Sequence, residues 1–328
     1  MIAALCLTSQ AAAFEREQLQ IVGSSTVFPF AKAVAERFGM TGGFRMPVVE
    51  STGTGAGMEL FCAGTGAETP DITNASRAMK PDEARVCALN GVTPIELKIG
   101  FDGIVLAGFK DAPDFNLALP QLFLALAARV PVDGRLVDNP YRKWSDISAD
   151  LPDSPIQVFG PPPTSGTRDA FSEMALEAGC ARVPDAAALG LKGKACHAIR
   201  EDGVYLDTGE NDELVVQLLD ATPTALGIFG FSFLNANLSH LKGARISGIE
   251  PTFTNIAYGA YPLSRALYVY FKKEHAEAVP GMPEYLTELT REQAWGPGGY
   301  LKQKGLIPLP DAERVAQVRQ VETSFAGN

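Results

Sequence analysis

Residues 19–38, LQIVGSSTVFPFAKAVAERF, hold the reading that decides the fold. An apolar run (LQIV, 19–22) stops at Gly23, and three hydroxylated residues follow: Ser24, Ser25 and Thr26. From Phe28 onward the apolar residues recur at helical spacing, and Pro29 suits a first helical turn. The stretch therefore reads as strand, tight loop, helix. Hydroxyl side chains at such a junction cap the first unpaired N–H groups of the helix. Those same N–H groups, carrying about half a positive charge, also suit a bound anion. One junction alone leaves both readings standing.

The pattern recurs. STGTGAG (51–57) follows VVE and precedes the helical MELFCAG; DITNASR (71–77) follows its own apolar start; PTSGTRDAF (163–171) follows IQVFG and opens a helix. Further strands are expected at TPIELKIG (93–100), GIVLAGF (103–109), TALGIFGF (224–231) and SRALYVYFKK (264–273), with a helix over 211–220. Alternation of this kind predicts an α/β protein with mainly parallel strands. In open α/β sheets, ligands gather at the carboxyl ends of the strands, where all four loops would lie. Glycine admits a ligand to the backbone, hydroxyls donate without bulk, and Arg77 and Arg168 offer planar charged forks. Taken together, the Ser, Thr and Gly residues of the four loops, with Arg77 and Arg168, describe one anion site.

Composition narrows the class. With 328 residues the chain is long enough for about two domains, and 46% apolar residues supply a sizeable core. A net charge of −10 without a dense basic stripe argues against nucleic acid as a partner. No apolar run reaches the ~18–20 residues that cross a bilayer. MIAALCL followed by Ala11-Ala12-Ala13 reads as the remnant of an export signal over 1–13. Leu5 before Cys6 is a poor match to a lipoprotein signal. Removing that segment leaves Cys62, Cys87, Cys180 and Cys196, an even set that suits two disulfides in an oxidising compartment. Four cysteines allow three pairings. The locally closed loops Cys62–Cys87 and Cys180–Cys196 are the expected ones.

Chemistry is not indicated. No G-x-x-x-x-G-K-[ST] or G-x-S-x-G is present, and His197, His240 and His275 are far apart in the chain. Ser165 has no evident base, and no metal or other cofactor is expected. Binding without turnover is the expectation; a secreted phosphatase is the alternative from another class. Asn211 and Asp212 read as helix caps, and Trp144 and Trp295 as packing aromatics; Glu50 fits the cleft or solvent equally.

Over nearly the whole mature chain the sequence resembles the periplasmic phosphate-binding receptors of ABC-type phosphate importers, members of the type II solute-binding-protein fold. GSSTVFP, STGTGAG, DITNASR, GFDGIVLA, SGTRDAF, GENDELV, ALGIFGF and GYLKQKGLIPLP carry the resemblance, in the family's order and spacing. It implies two α/β lobes, discontinuous in sequence, with a mixed, mainly parallel sheet in each and a ligand cleft between. Lobe one is expected at 17–108 plus 250–328 and lobe two at 109–249, with crossings near GIVLAGFK and GIEPTFTN. It further implies inorganic phosphate as ligand, inner-membrane ABC permease subunits as partners, a monomer, and a periplasmic location. Thr26 and Val27 match a hydroxyl and a backbone N–H donor of the family's first loop, and Thr54 matches the hydroxyl of its second, with Gly55 beside it. Ser165, Gly166 and Thr167 match the loop that closes over the ligand.

Two departures stand out. Ser76 and Arg77 occupy a position where some members carry an aspartate that accepts the phosphate proton. Pro161 stands where some carry an arginine. Asp102 in GFDG is the candidate replacement acceptor, with a turn aspartate as the plain alternative. Arg77 or Arg168 is expected to supply the missing charge. A receptor for another tetrahedral oxyanion (sulfate, arsenate or molybdate) is the runner-up reading.

Overall fold

The computed structural model describes residues 16–40, 43–163, 165–209 and 212–326. The export-like segment, Cys6 and Asn211 lie outside the described residues. The frame is a nine-stranded sheet. Its strands in chain order are β1 (Gln20–Gly23), β2 (Val48–Val49), β3 (Ile72–Ala75), β4 (Pro94–Phe109), β5 (Val158–Gly160), β6 (Tyr205–Asp207), β7 (Leu226–Gly230), β8 (Leu241–Gly243) and β9 (Ser264–Lys272). They run in the order β2-β1-β3-β9-β4-β7-β5-β6, with β8 also paired to β4.

The long strand β4 organises the rest. Residues 93–100 and 103–109, read as two strand segments, form one strand of 16 residues. Pro94 to Gly103 pair antiparallel with β9, whereas Ile104 to Ala107 pair antiparallel with β7. Burial along β4 explains the handover. Residues 94–99 alternate between half-buried and buried, as on a sheet with one wet face. From Ile99 to Gly108 every residue is buried, because both faces are covered where the two halves of the sheet meet. Gly100 sits mid-strand because the chain returns against it: a Cβ there would lie 2.6 Å from the Ile307 carbonyl oxygen, and the Phe101 N–H donates to that same oxygen. It marks a close approach of backbones rather than a turn.

Each half of the sheet is mixed. In the first, β1 pairs parallel with β2 and β3, while β9 is antiparallel to β3 and β4. In the second, β5 pairs parallel with β6 and β7, while β7 and β8 are antiparallel to β4. This is the two-lobe, discontinuous α/β architecture: β9, late in the chain, lies between β3 and β4.

Helices follow the strand ends. After β1 comes α1 (Phe28–Met40), which buries Phe30, Val34 and Phe38 on one stripe. Burying each such phenylalanine contributes roughly 1.5–3 kcal/mol. Then come α2 (Thr54–Phe61) after β2, and α3 (Pro81–Leu89) after β3. In the second half, α4 (Gly166–Phe171) follows β5 and continues through a π-helical turn, Ser172–Glu177. The disulfides are Cys62–Cys87, beside the ends of α2 and α3, and Cys180–Cys196. Trp144 and Trp295 are both core residues.

Candidate functional site

The first loop turns on Ser24. Its carbonyl oxygen accepts from Phe28 N–H at 3.0 Å, and its Oγ receives the Val27 N–H at 3.4 Å. Val27 is fully buried, and its backbone N–H donates within the loop, to Ser24 Oγ. Ser25 and Thr26 remain for outside partners, and both find one. Ser25 Oγ donates to Asp169 Oδ2 of α4 at 2.8 Å. Thr26 Oγ1 accepts from Arg265 Nη2 at 2.6 Å.

The second and third loops meet each other. Gly53 precedes α2 with φ +83°, a conformation that side-chain-bearing residues rarely adopt. Thr54 Oγ1 accepts from the Ser76 N–H at 3.1 Å and lies 3.1 Å from Ser76 Oγ. Gly55 faces open space. Arg77 turns away from these hydroxyls: both its terminal nitrogens donate to Glu83 of α3, at 2.8 and 2.7 Å. The hydrogen bond to Glu83 raises the Arg77 pKa further. Burial pushes Glu83 up, but Arg77 and the Lys80 N–H outweigh it and leave the carboxyl below its ordinary range.

On the fourth loop, Ser165 caps α4, its buried Oγ accepting from Thr167 N–H at 3.3 Å. A Cβ on Gly166 would lie 3.2 Å from Ser25 O and 3.3 Å from Thr26 Cα, so this loop sits directly against the first. Arg168 points elsewhere. Its Nη1 donates to Pro161 O at 3.1 Å and its guanidinium stacks 4.4 Å from the centre of the Tyr205 ring. Burial raises the Tyr205 hydroxyl to about 12, with Arg168 opposing. The Pro161 carbonyl thus holds the arginine that was expected to replace the family's own.

Asp102 is not a turn residue. It lies within β4, directly opposite Arg265 of β9 in the ladder. Burial raises the Asp102 pKa, and the Arg265 charge opposes that shift. Arg265 was missed in the sequence, where SRALYVYFKK reads only as a strand. A charged residue near the head of an otherwise apolar run was the available signal. Asp169 and Glu173 were missed as well; Glu173 accepts from Arg265 Nη1 at 2.5 Å.

Ser25, Thr26, Asp102, Ser165, Gly166 and Thr167 line one cavity of about 1290 Å³. Its other wall comes from residues 230–233, 235–236, 297–299 and 302–311. Val27, Thr54, Gly55, Ser76, Arg77 and Arg168 line no part of it, nor do Arg265 and Glu173; Arg265 meets it through the lining residues Thr26 and Asp102. Glu50 is exposed. His197 pairs with Glu177, and His275 with Asp71. Among the described residues no group of three or more His, Cys, Asp or Glu side chains is placed to hold a metal ion.

A family model described as a PBP superfamily domain matches residues 8–293. The chain belongs to the PBP superfamily. Within it, the protein SphX of Synechococcus elongatus is 28% identical over 324 residues, covering 97% of this chain and 85% of SphX. The phosphate-binding protein PstS of Staphylococcus saprophyticus is 24% identical over 305 residues, covering 92% and 83%. Among solved structures, a possible phosphate binding protein from Planctomyces limnophilus superimposes with a TM-score of 0.77 at 29% identity, over 94% of this chain and 98% of that one. An ABC-type phosphate transport receptor from Vibrio cholerae shares the superfamily fold, with a TM-score of 0.57 at 20% identity over 84% and 95%.

Proposed function

We propose that this chain is an extracytoplasmic solute-binding receptor that captures inorganic phosphate between its two lobes for an ABC-type importer. The observation that carries the proposal is the meeting of the first loop with the Ser165–Thr167 loop across one cleft. Each comes from a different half of the sheet, and each presents hydroxyls and a helix start. A dehydrated tetrahedral oxyanion needs many donors at once, and neutral N–H and O–H groups supply them without burying a matching charge for each. The names of the relatives, phosphate-binding in most cases, point to the same ligand. No helix among the described residues is long and apolar enough to cross a membrane.

In this reading lobe one comprises 17–108 plus 250–328 and lobe two 109–249, and the protein acts as a periplasmic monomer without turnover. Donors from both lobes make the liganded form the closed one, so the ligand shifts an equilibrium between open and closed. Permease subunits then read the closed shape. The test is titration of ligand-stripped protein with phosphate, sulfate, arsenate and molybdate by calorimetry. Phosphate and its close mimic arsenate should bind well ahead of sulfate. Tightest binding of sulfate or molybdate would assign a different oxyanion, and release of phosphate from an ester would assign an enzyme.

A further inference from the structure

We propose that Arg265 is the charged ligand of the anion in this chain, and that the Glu173 carboxylate competes with the anion for it. The inference rests on the receptor reading above and adds to it the source of the positive charge. The two arginines in the loops are committed elsewhere, Arg77 to Glu83 and Arg168 to Pro161 and Tyr205. Arg265 instead joins both sides of the cleft. Its Nη2 donates to Thr26 Oγ1 at 2.6 Å, and its Nη1 to Glu173 Oε2 at 2.5 Å. Its Nε lies 3.6 Å from Asp102 Oδ2, beyond hydrogen-bond reach. That Nε and that Oδ2 are both buried without a hydrogen-bond partner, a cost that a rearrangement around a bound anion can remove.

The exposures of the two partners decide which one yields. The Arg265 side chain is 12% exposed and fixed in ladder register, whereas that of Glu173 is 54% exposed. Guanidinium offers paired N–H donors that fit two oxygens of a carboxylate or of a tetrahedral oxyanion alike. An anion seated between Thr26 and the Ser165 loop would take the Nη1 donor now held by Glu173. Glu173 would swing to solvent, with Asp102 still beside the guanidinium as its ladder partner. Glu173 is thus a resident competitor, and anion binding is an exchange of one oxyanion for another.

The test titrates inorganic phosphate into wild type, Arg265→Gln, Arg265→Lys and Glu173→Gln by calorimetry, with thermal melts confirming that each is folded. Arg265→Gln should weaken binding at least about tenfold, the equivalent of a charge-assisted hydrogen bond, with Arg265→Lys between it and wild type. Glu173→Gln, altering an exposed position, should tighten binding about two- to fivefold by removing a surface ion-pair competitor. Binding by Arg265→Gln or Arg265→Lys within about twofold of wild type, or weaker binding by Glu173→Gln, would overturn the inference while leaving the receptor reading intact. A wild-type chain that takes up no phosphate would overturn the receptor reading and this inference together.

Discussion

Asp102 stands in the ladder opposite an arginine and at the wall of the cleft, two settings that pull its proton affinity in opposite directions. Burial raises its pKa and Arg265 restrains the rise. A carboxylate there would welcome a proton carried by phosphate and repel sulfate, which carries none at neutral pH. Asp102→Asn should therefore narrow the preference for phosphate over sulfate at least about tenfold, read as the ratio of the two affinities. An unchanged ratio would remove Asp102 from the role. Lys272, remote from the cleft, yields a pH prediction. Its Nζ donates to Gly64 O at 2.6 Å and to Thr69 Oγ1 at 2.7 Å. Burial pulls the ammonium down to about 8, with Asp71 opposing. The unfolded chain keeps this lysine protonated up to roughly pH 10, so between about 8 and 10 the unfolded state holds the extra proton. Stability from this residue must rise with pH across that window and be lost as pH falls through 8. Wild type should gain on Lys272→Met between pH 8 and 10 in chemical denaturation; parallel curves would refute the shift.

The helix α2 is held to β1 at a distance that only glycine permits. A Cβ on Gly57 would lie 2.6 Å from Gly23 Cα and 2.8 Å from Thr73 Oγ1, and one of these atoms is backbone. Gly57→Ala should cost about 1–3 kcal/mol by overpacking, seen as a lower urea midpoint at unchanged slope. An unchanged midpoint would mean that α2 rides higher on the sheet. Elements of this kind were legible in the chain. STGTGAG announced a loop before a helix, and the loop is there. What it did not announce was the partner of Thr54, because the choice between a ligand and Ser76 depends on how β3 lies beside β1.

For the whole molecule, the two halves of the sheet share one strand and touch again where Ser25 meets Asp169 and Arg265 meets Glu173. Ligand bound between them stabilises both halves together, since an open, unfolded chain has no such site. At a hundredfold excess over Kd, phosphate should add about 2.7 kcal/mol to the stability of the native state. Differential scanning fluorimetry should register a rise of several degrees with phosphate and less with sulfate. Equal shifts from both anions would argue for a nonspecific salt effect.

The order of strands, loops and helices, the small residues that open each helix, and the short-range disulfides all follow from neighbours along the chain. Capping, periodicity and loop closure act over a few residues to a few tens, so reading 19–38 and its counterparts was enough to reach an alternating α/β chain, while the two discontinuous lobes were implied by the family resemblance. The electrostatics of the cleft came from elsewhere. Arg265 meets Thr26 across 239 residues of chain, and its place beside Asp102 depends on the register of two antiparallel strands. A guanidinium can turn to any acceptor within its reach, and the folded backbone fixed which acceptors those were. Hence Arg77 and Arg168, both in the expected loops, face Glu83 and Tyr205, while a strand residue brings its charge to Thr26 of the first loop.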